Sequence, residues 1–217
     1  VRMENSLLTV VSWNQWSHRN YPPIMPNAFN NVKEFTDNDF SRNFISYKYY
    51  WNSGRVEVKS AYFHERQNYF LESYTSNGNP VSQMNTLNKS DVFRRLVDLQ
   101  QDMFKSWKLY AKIQWDSENV TSTDYDNDYD YDNDYDNDYD LGRKKRNILS
   151  FYAAVDGKIY RDLDLRLTLR NDIVDEKSAG FFPTATLVYR MPFVKGLSFN
   201  AGYSHNYRNP TLNDLYW

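Results

Sequence analysis

Apolar and polar residues trade places at every second position in segment after segment of this chain, and that period limits the fold more than any other feature. Trp107, Leu109, Ala111, Ile113 and Trp115 interleave with Lys108, Tyr110, Lys112, Gln114 and Asp116. Leu163, Leu165, Leu167 and Leu169 alternate with Asp164, Arg166, Thr168 and Arg170, and Ala185, Leu187, Tyr189 and Met191 with Thr184, Thr186, Val188 and Arg190. Near the end, Leu197, Phe199, Ala201 and Tyr203 share a side opposite Ser198, Asn200 and Ser204. A period of two marks strands with one oily and one wet face. Weaker versions occupy about 6–14, 40–51, 55–65, 92–103 and 146–156. Nine candidate strands result, several near the ~9–11 residues that a tilted strand needs to cross a bilayer.

The connections between them fall into two alternating sets. Short turns are expected at Asn52-Ser53-Gly54, Lys105-Ser106, Asp156-Gly157-Lys158 and Phe193-Val194-Lys195-Gly196. Longer excursions fill about 15–39, 66–91, 117–145 and 175–182. Tight turns at one end and long loops at the other are what an up-and-down membrane barrel produces. A Greek-key sandwich has no reason to alternate so regularly. The aromatics Trp51, Trp107, Tyr110, Trp115, Tyr189 and Tyr207 fall near strand ends, where interfacial girdles belong. The expected fold is all-β: an antiparallel up-and-down meander of about nine strands. Single-chain bacterial barrels close on even strand numbers, and an open edge in lipid leaves backbone groups unsatisfied. The odd count therefore predicts that residues 1–217 form part of a larger transmembrane barrel.

Composition agrees. Only 41% of the 217 residues are hydrophobic while 18% are aromatic, with 19 Tyr, 13 Phe and 6 Trp. Tyr and Trp suit places where one end of a side chain is dry and the other wet. No run approaches the ~18–20 apolar residues of a membrane-spanning helix. There is no cysteine, hence no disulfide frame and no thiolate chemistry. The chain opens on Val1 without a basic-then-apolar leader, so the expectation is a mature form or an internal piece of something longer. Nine of the 28 Asp and Glu residues lie in the run 124–140, leaving 26 Lys and Arg against 19 acidic residues elsewhere. A mildly basic body with one intensely acidic loop does not suit a nucleic-acid binder with a continuous basic face.

That run places aspartate at every second position with Tyr or Asn between, and marks 117–145 as an acidic, low-complexity, extracellular loop. Mutual repulsion favours a solvated segment. The functional alternative is calcium capture by Asp124, Asp126, Asp128, Asp130 and Asp132, since hard cations want several carboxylate oxygens. Asp124, Asp126 and Asp128 match the first three ligand positions of a calcium loop, but Tyr129 stands where its turn glycine belongs and Tyr135 where its bidentate Glu belongs. No other cofactor is implied. The three histidines, His18, His64 and His205, show no paired metal spacing and no local catalytic constellation, so no enzyme activity is expected. Two clusters carry side chains that stack on or hydrogen-bond a bulky ligand. One is Trp13, Trp16, His18, Arg19 and Tyr21; the other is His64, Arg66 and Tyr69, with Phe70 and Tyr74 nearby. The plainer role for both is to knit loops together.

The segment 204–217, SHNYRNPTLNDLYW, resembles the barrel signature of TonB-dependent outer-membrane receptors, in which a strand enters a loop of the form Tyr-Arg-x-Pro-Thr-x-x-(Asp/Glu)-Leu-Tyr. Arg208, Pro210, Thr211, Leu212, Leu215 and Tyr216 carry the match. The hairpin from Phe182-Pro183-Thr184 to Gly196-Leu197 and the Arg19-Asn20-Tyr21-Pro22-Pro23 segment look like the same family, and the Bacteroides-type members, similar to cobalamin and siderophore receptors, come nearest. The resemblance implies a location in the outer membrane of a Gram-negative bacterium, contact with its lipid, and import of a nutrient ligand (siderophore, cobalamin or oligosaccharide). The family couples import to the TonB complex through an N-terminal plug inside a barrel of about 22 strands. No plug and only about nine strands are legible here, so the expected domain is a partial barrel over 1–217. Arg208 joins the ligand-binding candidates, with an alternative role, shared with Pro210, in shaping the strand exit. A small self-contained barrel acting as anchor or adhesin is the other reading of the same pattern.

Overall fold

The computed structural model describes residues 2–21, 32–74, 80–104, 106–124 and 142–208. They form one antiparallel sheet whose ten strands lie side by side in chain order. These are β1 (Arg2–Met3), β2 (Ser6–Asn20), β3 (Val32–Trp51), β4 (Gly54–Tyr74), β5 (Pro80–Asp102), β6 (Trp107–Asp124), β7 (Gly142–Tyr160), β8 (Leu163–Val174), β9 (Lys177–Arg190) and β10 (Ser198–Ser204). The nine expected strands are all present in one open meander, and the two-residue β1 is added through Arg2↔Leu7 and Met3↔Ser6.

Register decides what each face carries, because directly paired residues project to the same side. One row runs Leu8↔Tyr47↔Val58↔Val97↔Ile113↔Phe151 across six strands. The next row toward the short turns runs Tyr49↔Val56↔Leu99↔Ala111↔Ala153↔Leu169. These rows are apolar and open to the surroundings: Val58, Val97, Ile113 and Leu169 are 50%, 43%, 49% and 44% exposed. The intervening positions are polar and crowded. Every buried side chain among the described residues except Ser6 projects to that second side, including Glu57, Asp116, Arg146 and the fully enclosed Asp172. The polar side is therefore the concave, inner face, and the apolar side the outer one. A water-soluble sheet would bury the opposite set, so the chain is built inside-out for a barrel in lipid.

The outer apolar rows form a band of limited height. On β6 it covers 107–115, between Trp107 and Trp115, a length that matches the ~9–11 residues of a tilted crossing. Trp51, Trp107 and Tyr189 mark one margin, and Trp115, Phe93 and Tyr62 the other. Two aromatic expectations are corrected. Tyr110 pairs with Gln100 and Ala154 on the inner face, where the Arg166 guanidinium lies over its ring at 5.9 Å. Tyr207 stacks on the inner-facing Phe182, with ring centroids 5.5 Å apart.

The connections also need correction in detail. Turns at residues 52–53 and 191–197 fall where expected, and Ser106 closes the turn before β6, while Lys105 lies outside the described residues. Asp156-Gly157-Lys158 is not a turn: all three residues lie within β7, and the reversal comes at Arg161-Asp162. Gly157 is glycine for another reason. It faces Trp107 across the strand pair, and a Cβ there would meet the indole at 2.4 Å. Gly54 stands in the same relation to Trp51, so both glycines make room for a margin tryptophan. The excursion expected over 175–182 is a two-residue hairpin. Asp175 and Glu176 adopt φ of 45° and 70°, the left-handed pair of a type I′ turn, and the Asp175 carboxylate accepts the Asn147 backbone N–H at 2.8 Å. The other three excursions shrink because their flanks are paired strand, so that only 21–31, 75–79 and 125–141 separate the strands.

Candidate functional site

Above the band on the long-connection side, both faces of the sheet are polar, and the expected ligand residues divide between them. Trp13, Arg19, Tyr21 and Tyr69 belong to the inner wall. Trp13 pairs with Arg42, whose guanidinium lies 5.4 Å from the indole centre, and Arg19 shares a row with Thr36, Tyr69 and Thr86. The Tyr69 hydroxyl donates to Glu34 Oε1 at 3.0 Å, and Thr36 donates to the Tyr21 hydroxyl oxygen at 3.4 Å. Desolvation and the Glu34 carboxylate push the Tyr69 phenol above its ordinary value of 10.0, which keeps it a neutral donor.

Trp16, His18, His64 and Arg66 project outward instead. His18 Nδ1–H donates to Asp37 at 2.6 Å, and Asn20 Oδ1 faces the other ring nitrogen at 3.0 Å. Acceptors at both nitrogens favour the imidazolium, so Asp37 first and then Asn20 raise the His18 pKa above 6.5. The ring also continues an exposed aromatic chain: Trp16 to His18 at 6.4 Å, His18 to Phe35 at 5.5 Å, and Phe35 to Phe70 at 5.0 Å. His64 donates to Asp91 at 2.8 Å, and the same oxygen accepts the Tyr62 hydroxyl at 2.6 Å. Neither cluster read from the sequence is therefore a single site, because neighbours in sequence alternate between faces. Arg208 is exposed just past β10.

Along the inner face many of the charges are paired, most of them strand to strand. Glu57 sits between Lys48 and Lys59, both at 3.5 Å. Arg94 grips Asp116 with two bonds of 2.8 Å, and Gln114 adds a third donor at 2.8 Å. Arg146 donates to Glu118 at 2.9 Å and Arg170 to Asp172 at 3.0 Å; Arg166 meets Asp156 at 3.2 Å, and Arg190 pairs with Asp164. Lys112, Gln114, Ser150, Tyr152 and Arg170 also line an open inner cleft of about 350 Å³. This cleft and the Arg42–Trp13 contact were missed in the sequence, although their basic residues recur at every second position beside outer apolar ones. Such a wall can present hydrogen-bond donors and rings to a passing solute while holding many of its own charges in pairs.

Among the described residues no cluster of three or more His, Asp or Glu side chains could hold a metal ion. Asp126, Asp128, Asp130 and Asp132 lie outside the described residues, and Asp124 is the last residue of β6. Residues 209–217, which carry most of the loop signature, also lie outside them. A family model described as TonB dependent receptor-like, beta-barrel matches residues 4–217. No curated protein matches the chain.

Proposed function

The chain belongs to the TonB dependent receptor-like β-barrel family, and from that premise we propose that it forms part of the wall of a receptor that binds and imports a bulky, scarce nutrient. The family is one of outer-membrane transport receptors rather than enzymes. The nutrient class we propose is a ferric siderophore, cobalamin or an oligosaccharide, and energy reaches the barrel from the TonB complex through a plug domain that these residues do not supply. The end with the long connections faces the cell exterior, as in other outer-membrane barrels. The observation that carries the reading is the inner wall above the apolar band, where Trp13, Arg42, Tyr21 and Tyr69 share one face. Rings and neutral donors positioned there suit a large, many-sided ligand. The family match favours this reading over a self-contained anchor or adhesin.

The test is binding of labelled ferric catecholate, cyanocobalamin and a maltooligosaccharide to the full-length protein. Trp13→Ala and Tyr69→Ala should each weaken the bound probe by roughly tenfold, as loss of one good aromatic contact does, whereas the outward variant Trp16→Ala should leave it unchanged. Equal losses from Trp13→Ala and Trp16→Ala, or none from the inner pair, would overturn the assignment.

A further inference from the structure

Three of the short turns repeat one local pattern. Met103-Phe104 precedes Lys105-Ser106, Ile159-Tyr160 precedes Arg161-Asp162, and Phe193-Val194 precedes Lys195-Gly196. In each, two apolar residues are followed by a base and then by a residue that a tight turn accepts. A turn that ends in water is built from Gly, Asn, Asp and Ser, as the one at Asn52-Ser53 is. Here the tips are apolar and open: Phe104, Tyr160 and Phe193 are 78%, 70% and 90% exposed. Backbone bonds hold them in place. Trp107 N–H donates to the Phe104 carbonyl at 2.8 Å, Arg190 N–H to that of Asp162 at 2.8 Å, and Leu197 N–H to that of Val194 at 3.1 Å. Successive tips stand about 10 Å apart along one end of the sheet, two strand spacings.

Depth and charge indicate the occupant. Trp107 and Tyr189 lie on the lower margin of the apolar band; Phe104 comes three residues before the first and Phe193 four after the second. Tyr160 pairs with Leu163, in the row of Tyr189. Three to four residues of strand tilted by ~45° descend about 7–9 Å, close to the ~5–8 Å of head-group region below the hydrocarbon. The outer apolar face also runs unbroken to the tips, through Met103 beside Trp107 and through Leu163, Met191 and Leu197 around Tyr189. That continuity favours lipid over a protein partner. Arg161 and Lys195 are exposed and form no ion pair among the described residues. The neighbouring Asp102, Asp156 and Asp164 are held by Lys108, Arg166 and Arg190. We propose that the short-turn end of β5 to β10 is a binding surface for anionic phospholipid of the periplasmic leaflet, with Phe104, Tyr160 and Phe193 seated in its head-group layer and Arg161 and Lys195 as its phosphate donors. Rings with one dry side settle in that layer, and each base held against an anionic surface strengthens binding about fivefold. The surface relies on the apolar band lying in hydrocarbon and on the short turns facing the periplasm; the identity of the nutrient does not enter.

The full-length protein, purified in mild detergent, is offered phosphatidylglycerol and phosphatidylethanolamine of one acyl length, and retained lipid is counted by native mass spectrometry. Phosphatidylglycerol should bind at least fivefold more tightly. Arg161→Gln/Lys195→Gln should abolish that preference, and Phe104→Ser/Phe193→Ser should lower retention of both lipids severalfold. Lys33→Gln, at the opposite end of the sheet, should alter neither. If a double variant fails to show heat-modifiable gel migration, Lys195→Gln and Phe193→Ser are read singly, with the same changes about half as large on a logarithmic scale. Equal retention of the two lipids by the unaltered protein, or an unchanged preference in the folded charge variants, would overturn the proposal and assign the tips to a protein partner in the periplasm. Nutrient binding measured on the same variants separates this outcome from failure of the receptor reading.

Discussion

The wall built from β3 to β6 and the hairpin of β8 and β9 cross the same apolar band and then part company. β4 and β5 continue from His64 to Tyr74 and from Asp91 back to Pro80 as paired strand, roughly 30 Å of extra ladder at about 3.3 Å per residue. The β8–β9 hairpin turns at Asp175-Glu176, level with the upper margin of the band. Its outward residues Leu163, Leu165, Leu167 and Leu169 answer to lipid alone. The tall wall has two tasks: its lower half holds a place in the bilayer, and its upper half displays polar and aromatic groups on both sides. One sheet can thus have a high rim and a low rim, and strand length is the variable that sets them.

The most forceful way to break this comparison is to remove the cation that pairs with a carboxylate in or beside each region. Arg146 of β7, which reaches across to Glu118 of the tall wall, is 8% exposed at its side chain, and Glu118 is 18% exposed. Arg146→Met should cost about 3 kcal/mol, because Glu118 is left charged and largely dry. Arg166→Met on the hairpin, where the pair with Asp156 is half exposed, should cost less than about 1 kcal/mol. Urea unfolding in lipid vesicles measures both, and equal costs would mean that the two regions hold their inner charges alike. A charge on the outer face is the second probe. Leu167→Arg lies within the band and should cost about 2–4 kcal/mol. Leu87→Arg, outward but high on β5 beside Asn68 and Thr123, should stay within about 0.5 kcal/mol. A large penalty at Leu87 would place lipid against the upper wall and raise the upper margin of the membrane band.

The smallest effect is a titration. The folded His18 pKa lies above 6.5 through its bond to Asp37, so the contact stabilises fully below pH 6.5 and fades as pH rises through the folded value. Amide exchange at the rim ends of β2 and β3 should therefore quicken on going from pH 6 to pH 9, while the β8–β9 hairpin, which carries no histidine, should not respond in that window. Asp37→Asn should bring the His18 ring titration, followed by NMR, back toward 6.5. An unchanged titration would show that the contact does not hold in solution.

The same contrast explains how far the sequence could be read. The lower parts of the hairpin strands, 163–170 and 184–190, were legible residue by residue, since lipid outside and water inside force a strict alternation of hydropathy, whereas 177–182 read as an excursion although it lies within β9. In the upper wall both faces meet water, the alternation loses its contrast, and stretches such as 66–74, 82–91 and 117–124 read as loop although they are paired strand. Gly157 misled for a related reason: a glycine beside Asp and Lys suggests a turn, and only register shows Trp107 lying across it. The candidate site suffered most. Composition picked out Trp13, His18, Arg66 and Tyr69, but which of them share a surface depends on strand parity and partner register. Neighbours in sequence, such as Trp13 beside Ser12 or Tyr69 beside Phe70, end on opposite faces. Ion pairs such as Arg94–Asp116 and Arg146–Glu118 link residues 22 and 28 positions apart, and local pattern does not reach that far.

Each strand from β2 to β9 pairs with the strand before it and the strand after it in the chain. Assembly in a bilayer can therefore proceed by short closures, each one adding a strand to an edge already in place. The entropy of each closure grows only slowly with the length of the connection, so a long insertion such as 125–141 between β6 and β7 delays the next pairing little. Low contact order of this kind favours quick, sequential growth over a search among distant partners. It leaves the connections free to lengthen and diversify without rewriting the order in which the wall is laid down.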